Sequence, residues 1–211
     1  MNDAKAILLG AGGHARVLLD LLDLQAFDIV GVTAPELVSG KEWFGIAVLD
    51  FDKNVTGFPI NEVLLINAVG GIPGQRIRQR LYTEFKDMGF RFATLQHPSS
   101  IVSRSAELAE GVQLMAGSIL QPGVKIGVNV LVNTRASIDH DCVIGAHAFI
   151  GPAVTLCGDV QVGEGAFIGA GAVVLPGVQI GAGAIVGAGS VVIRSVAKDM
   201  RVVGNPAIQM K

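Results

Sequence analysis

The chain has 211 residues, 50% of them apolar and only 16% charged, with a net charge of −2. That length gives room for one large domain or two small ones, with apolar mass enough for a sizeable core. The charge balance leaves no basic footprint for a nucleic-acid partner, and no apolar run is long enough to span a membrane.

The start of the chain carries Asp3 and a short apolar run before Gly10, too short for a secretory leader. The two cysteines, Cys142 and Cys157, lack the number and spacing of a disulfide framework or a zinc site. Cys142 reads as a small inward core residue. A reduced, cytoplasmic protein is expected.

In chain order, residues 6–9 (AILL) read as a buried strand, followed by the turn Gly10-Ala11-Gly12-Gly13-His14. A helix over 15–23 would place Val17, Leu18, Leu21 and Leu22 on its apolar face. Strand, glycine turn and helix open a nucleotide-binding βαβ unit, in which backbone N–H groups at a helix start meet phosphate or ribose. Close packing alone explains such a turn equally well, and Ala15 stands at the third glycine position of a full dinucleotide fingerprint. A second strand over 27–32 ends at Thr33, with Glu36 three residues on, so a ribose contact from this strand stays open. Strands are expected over 43–50 and 63–68, then the loop Gly70-Gly71-Ile72-Pro73-Gly74. A helix over 75–88 would bury Ile77, Leu81, Phe85 and Met88 and turn Arg76, Arg78 and Arg80 mostly to solvent, with a phosphate contact from one of them near the loop as the alternative. A last strand over 90–95 and the link Gln96-His97-Pro98-Ser99 close this part.

From Val102 to Val196 the sequence repeats every six residues. Sixteen positions from Val102 through Ile138, Ile144 and Leu156 to Val192 are all aliphatic, with no insertion. Four residues after each comes a small or β-branched residue, such as Ala136, Cys142 or Val160. Glycine often follows the aliphatic anchor, as at Gly127, Gly145, Gly151, Gly163, Gly169, Gly181 and Gly187. A period of six fits neither a helix nor a simple alternation. It fits a short strand plus a corner, hence a parallel β-solenoid. The glycines would supply corner backbone angles. Three sides make a coil of about 18 residues, stacked at about 4.8 Å. The division expected is an α/β domain over 1–96 and a β-helix domain over 97–211.

The repeat has one polar break, Asn133-Thr134-Arg135-Ala136-Ser137-Ile138-Asp139-His140-Asp141-Cys142. Ile138 and Cys142 point inward by phase, so His140 points outward between two carboxylates. Such a histidine is either a solvated side chain or a general base tuned by a neighbouring carboxylate. Gly158 lies one coil beyond it. His147 is also outward and reads as a surface residue. With two histidines in the repeat, no metal site is expected. The tail Val202-Val203-Gly204-Asn205-Pro206-Ala207 leaves the repeat phase as a cap.

Taken together, the strand–GAGGHA–helix opening, the His97-Pro98 link, the hexad repeat, the NT…DHD segment and the terminal GNPA resemble the hexapeptide-repeat sugar O-/N-acyltransferases. That family includes nucleotide 4-amino-sugar N-acetyltransferases and sialic acid O-acetyltransferases. The resemblance implies a Rossmann-like small domain followed by a left-handed parallel β-helix, assembled as a homotrimer with active sites between subunits. It implies acetyl-CoA as co-substrate and a nucleotide-sugar acceptor held by Gly12, Gly13, His14 and Arg16. It implies His140 as catalytic base with Asp141 as its orienting partner. Asn133, Gly158, Gly204, Asn205 and Pro206 would contact the cofactor. An O-acetyltransferase of the sialic acid type is the alternative, and a non-catalytic β-helix scaffold a more distant one. The family's second histidine, nine residues after the base, is replaced here by Phe149.

Overall fold

The computed structural model describes residues 4–25, 27–50 and 55–210; Asp3 lies outside them. The chain forms two compact units, Met1–Gly70 with Ile77–Ala93, and Gly71–Arg76 with Thr94–Lys211.

The first unit is a four-stranded parallel sheet flanked by helices. Its strands are β1 (Ala4–Leu9), β2 (Phe27–Thr33), β5 (Leu64–Asn67) and β6 (Arg91–Phe92), in the order β2-β1-β5-β6. Ala6 to Leu9 are fully buried, as a central parallel strand covered on both faces requires. This is the expected Rossmann-like arrangement, with α1 spanning Gly13–Leu22 and α2 spanning Ile77–Asp87.

Three local expectations change. Helix α1 buries Ala15, Leu18, Leu21 and Leu22, while Val17 is 48% exposed. Ala15 and Leu18 share the stripe at the i, i+3 spacing, and Val17 stands about 100° away from Leu18. Helix α2 buries Arg78, Leu81, Tyr82 and Phe85 and exposes Ile77 and Met88. The phase set by Leu81 and Phe85 brings position 78 inward, whatever its charge. In place of the strand expected over 43–50, residues 42–47 form a small antiparallel hairpin, β3 (Glu42–Trp43) with β4 (Ile46–Ala47), turned by Phe44 and Gly45 at positive φ.

The second unit is the left-handed parallel β-helix. Strands of two residues pair in parallel with the strand 18 positions on, for example Ser137 with Thr155 and Val143 with Gln161. Three sides result. Side one holds Leu131–Val132 and Phe149–Ile150, side two Ser137–Ile138 and Thr155–Leu156, and side three Val143–Ile144 and Gln161–Val162. The anchors and their partners four residues later form one continuous core, from Val112 to Val202. Cys142 sits in it as a free thiol, its Sγ donating to the carbonyl of Cys157 at 3.1 Å. Burial pushes that thiol up to about 11, so it stays protonated.

The solenoid begins earlier than expected. Leu95–Gln96 already pairs with Gln113–Leu114, so the units divide after Ala93 rather than after Gln96. Residues 71–76 also cluster with the solenoid unit. Arg76 faces Asp199 at 4.0 Å, and a Cβ on Gly71 would collide with the Phe149 ring.

The glycines after the anchors do a different job from the one expected. Positive φ falls two residues later, at Asn129, Arg135, Asp141, His147, Ala153 and Asp159, and at glycines such as Gly117, Gly165 and Gly171. Gly145 and Gly151 face backbone of the next coil instead. A Cβ there would lie 2.6 Å from Glu164 N and 2.7 Å from Ile168 O, respectively. Glycine at these positions lets the coils stack.

Candidate active site

The polar break becomes one corner of the prism, between sides two and three. His140 and Asp141 follow strand Ser137–Ile138 and precede Val143–Ile144. The His140 N–H donates to Asp139 Oδ1 at 2.7 Å, which fixes the backbone at the start of the corner. Asp141 takes the left-handed conformation, with φ of 59°. Aspartate tolerates that better than most residues. Its N–H donates to the Pro122 carbonyl one coil back. The corner is therefore locked by backbone, and the side chains it presents are preset.

His140 is exposed, as its phase requires. Its Nδ1 lies 2.9 Å from Asp141 Oδ2. The carboxylate only accepts, so Nδ1 carries the proton and Nε2 is left as the basic nitrogen in the neutral ring. The hydrogen bond donated to Asp141 raises the His140 pKa above its ordinary 6.5, against a smaller desolvation effect; the charges of Asp139, Asp141 and Asp159 add to the rise. Gly158, one coil on, lies directly beside the ring. A Cβ there would be 2.5 Å from Nε2 and 2.6 Å from Cε1. The missing side chain is what makes room for the ring.

Asp159 was not singled out from the sequence, yet it belongs to this corner. Its N–H donates to the His140 carbonyl at 2.9 Å, and its charge acts on the imidazole. The 18-residue spacing from Asp141 was the available signal. A groove of about 510 Å³ runs along side three past Val143, Gln161, Gln179 and Lys198.

The other residues of interest lie elsewhere. Asn133 is at the corner between sides one and two, where its Oδ1 accepts from Thr134 N at 2.9 Å. It is not beside His140 of the same chain. Gly204, Asn205 and Pro206 form the turn of a terminal hairpin, between Arg201–Val203 and Ile208–Gln209. Gly204 N donates to Ser190 Oγ, and Val191 N to the Gly204 carbonyl. His147 is half-buried at the corner after side three, 3.0 Å from Asn129 Nδ2 through its Nδ1. Phe149 stacks on Phe167, with ring centroids 4.6 Å apart.

In the first unit, Gly12 caps α1 with no side-chain hydrogen bond. Cβ atoms on Gly12 or Gly13 would meet nothing within 4 Å, so the space before the helix is open. Gly10 differs. Its φ is 112°, and a Cβ would press on Val69. His14 is partly buried, with its Cβ facing Gly70. Arg16 is exposed and lines a groove on the outer side of α1 with Val17, Asp20, Phe27 and Phe44.

With this geometry in hand, known proteins place the chain. Residues 159–194 match the family described as bacterial transferase hexapeptide (six repeats). UDP-N-acetylbacillosamine N-acetyltransferase of Bacillus subtilis (strain 168) is 37% identical over 115 residues, 52% of this chain and 50% of that protein. The match thus spans about half the length of that relative. The solved acetyltransferase domain of PglB from Neisseria gonorrhoeae FA1090, in complex with acetyl coenzyme A, superposes with a TM-score of 0.90. Identity there is 30%, over 99% of this chain and 100% of that one. A mutant of GDP-perosamine N-acetyltransferase from Caulobacter crescentus, in complex with CoA and GDP-perosamine, gives a TM-score of 0.89. It is 36% identical over 98% of this chain and 97% of that one. The fold and these likenesses define a hexapeptide-repeat β-helix protein of the transferase type. The chain belongs to the hexapeptide-repeat family of sugar acyltransferases. No helix among the described residues is long and apolar enough to cross a membrane.

Proposed function

We propose that this protein is a cytoplasmic, acetyl-CoA-dependent N-acetyltransferase acting on a nucleotide-linked 4-amino-4,6-dideoxy sugar in bacterial surface glycan biosynthesis. The observation that carries the reading is the His140–Asp141 pair with Gly158 alongside its basic nitrogen. Acetyl transfer from a thioester needs a base, a held nucleophile and a donor for the carbonyl oxygen. Asp141 fixes the tautomer of His140, so that Nε2 accepts the proton of the sugar amine as its nitrogen attacks the thioester carbonyl carbon. The carbon–sulfur bond breaks, and the proton passes from His140 to the departing thiolate sulfur. Backbone N–H at Gly158 is the donor assigned to the thioester oxygen.

The site's charge favours an amine over a hydroxyl acceptor. Asp139, Asp141 and Asp159 act on His140 through their charge; their field draws the amino group, which sheds its ammonium proton to solvent before the neutral amine attacks, and repels a carboxylate sugar such as sialic acid. The groove along side three suits an extended co-substrate, with Lys198 as a cation for its phosphates. Gly204, Asn205 and Pro206 would close around the adenine end. Asn133 stands at a different corner from His140, so its contact with a thioester held at His140 needs a second copy of the chain. A homotrimer with active sites between subunits would supply that copy. In the first unit, the open space at Gly12 and Gly13, with His14 and Arg16, is assigned to the nucleotide-sugar.

The test is incubation with acetyl-CoA and a panel of UDP-, GDP- and dTDP-4-amino sugars plus free sialic acid, followed by thiol release and product mass. The expected result is an N-acetyl product from one or more nucleotide sugars. Acetylation of sialic acid alone would sink the reading.

A further inference from the structure

Arg78 is the one arginine of α2 that the fold draws inside. It occupies the first turn, three residues before Leu81, and is 7% exposed. Burial pushes its pKa down to about 9, so it remains a cation at neutral pH. Its Nη1 donates to the carbonyls of Asn67 at 2.7 Å and Val69 at 3.0 Å. Asn67, itself buried, returns a hydrogen bond from Nδ2 to the Arg78 carbonyl at 2.8 Å. An apolar residue would fill this position more stably, because a buried cation must be stripped of water. The guanidinium does what an apolar side chain cannot: it grips two carbonyls at the carboxyl end of β5.

That strand end is the wall of the glycine turn. Leu9 pairs with Asn67, and Ala68 N donates to the Leu9 carbonyl. A Cβ at Gly10 would lie 3.0 Å from Val69 Cγ2, so Val69 already fills the available room. A Cβ at Gly70 would lie 3.3 Å from His14 Cβ. Open parallel sheets bind ligands outside the carboxyl ends of their strands. Residues 67–70 and the turn over 10–14 border that crevice together.

We propose that Arg78 is a positioning residue of the nucleotide-sugar subsite: it pins the Asn67 and Val69 carbonyls so that the end of β5 holds the Gly10 turn and His14 in their binding arrangement. This rests on the functional reading above, because it assigns the turn to the nucleotide. Arg78 itself touches no reacting atom, and the base lies in the other unit. Its loss therefore weakens acceptor binding and leaves the acetyl-transfer step intact.

The experiment compares wild type, Arg78→Lys and Arg78→Met as full chains. It measures KM for the accepted nucleotide amino sugar, KM for acetyl-CoA, kcat, and the melting-temperature gain produced by UDP, GDP or dTDP. Arg78→Met should raise the acceptor KM about tenfold or more, with kcat and the acetyl-CoA KM within about threefold, the signature of lost uniform binding. Arg78→Lys, which keeps the charge but not the planar fork, should fall between. If Arg78→Met does not fold, Arg78→Lys carries the comparison through its acceptor KM and its reduced thermal gain. An unchanged acceptor KM and thermal gain in the folded variants, with kcat falling only as active protein is lost, would overturn the positioning role. A wild type that gains stability from a nucleoside diphosphate yet acetylates no 4-amino sugar would defeat the functional reading alone, and the thermal comparison would still decide Arg78. A wild type that neither binds nor turns over would defeat both.

Discussion

Gly158→Ala tests whether the space beside the His140 ring matters to the chemistry. The new Cβ would stand 2.5 Å from Nε2, 2.6 Å from Cε1 and 3.2 Å from Cδ2. Non-bonded contacts settle near 3.5–4.0 Å, so the ring must move by about 1 Å. The His140 side chain is 59% exposed, so the ring can yield outward at the cost of its Asp141 contact. The backbone of Gly158 lies outside the left-handed region, so alanine brings no conformational strain. Gly158 is buried under that ring, but the ring can yield, so the folded state should lose no more than about 1 kcal/mol, the centre of ordinary point substitutions. Catalysis should suffer far more, because a misplacement of about 1 Å can cost about 100-fold. That corresponds to about 2.7 kcal/mol of transition-state stabilisation. Steady-state kcat/KM for acetyl transfer, with a melting curve on the same preparation, reads both quantities. A variant with kcat/KM within about threefold of wild type would show that the position of the His140 ring does not set the rate.

Asp141→Asn removes the largest cause of the raised His140 pKa. A raised pKa means that the base is lost as pH falls through a value above 6.5. In wild type the acid limb of kcat/KM should lie above 6.5, and in the variant it should move down toward that value; a pH–rate profile checks this. Gly145→Ala forces a Cβ to 2.6 Å from Glu164 N, in rigid backbone of the next coil, whereas Gly171 has open space but a φ of 68°. Urea denaturation should show a loss of about 1–3 kcal/mol for the overpacked Gly145 variant and about 1–2 kcal/mol for Gly171→Ala, with Gly145→Ala the worse of the two. Ile138→Ala empties a fully buried anchor and should cost about 2–5 kcal/mol by the same assay.

The six-residue phase made the solenoid legible because its periodicity is set by backbone geometry. Inward and outward residues, the exposure of His140, the burial of Cys142 and the alignment of Gly158 one coil on all follow from counting. The role of the glycines after the anchors did not, because coil-to-coil approach involves residues 18 apart. Strain at the corners falls instead on residues such as Asp141 and Ala153. In the α/β unit, three-dimensional packing overrode composition. Arg78 is inside and Val17 outside because the helix phases follow Leu81 and Leu18. The hairpin over 42–47 turns on positive φ at Phe44, a residue with no turn preference of its own. The start of the solenoid at Leu95 was hidden because that strand precedes the first full hexad.

The central claim is that His140 is the base of direct acetyl transfer. The most direct measurement is the turnover number of His140→Ala with acetyl-CoA and the accepted nucleotide amino sugar, on protein whose melting temperature matches wild type. A general base contributes about 10²–10⁴-fold, so the predicted kcat is lower by about 100-fold or more. A kcat within about threefold of wild type would contradict it.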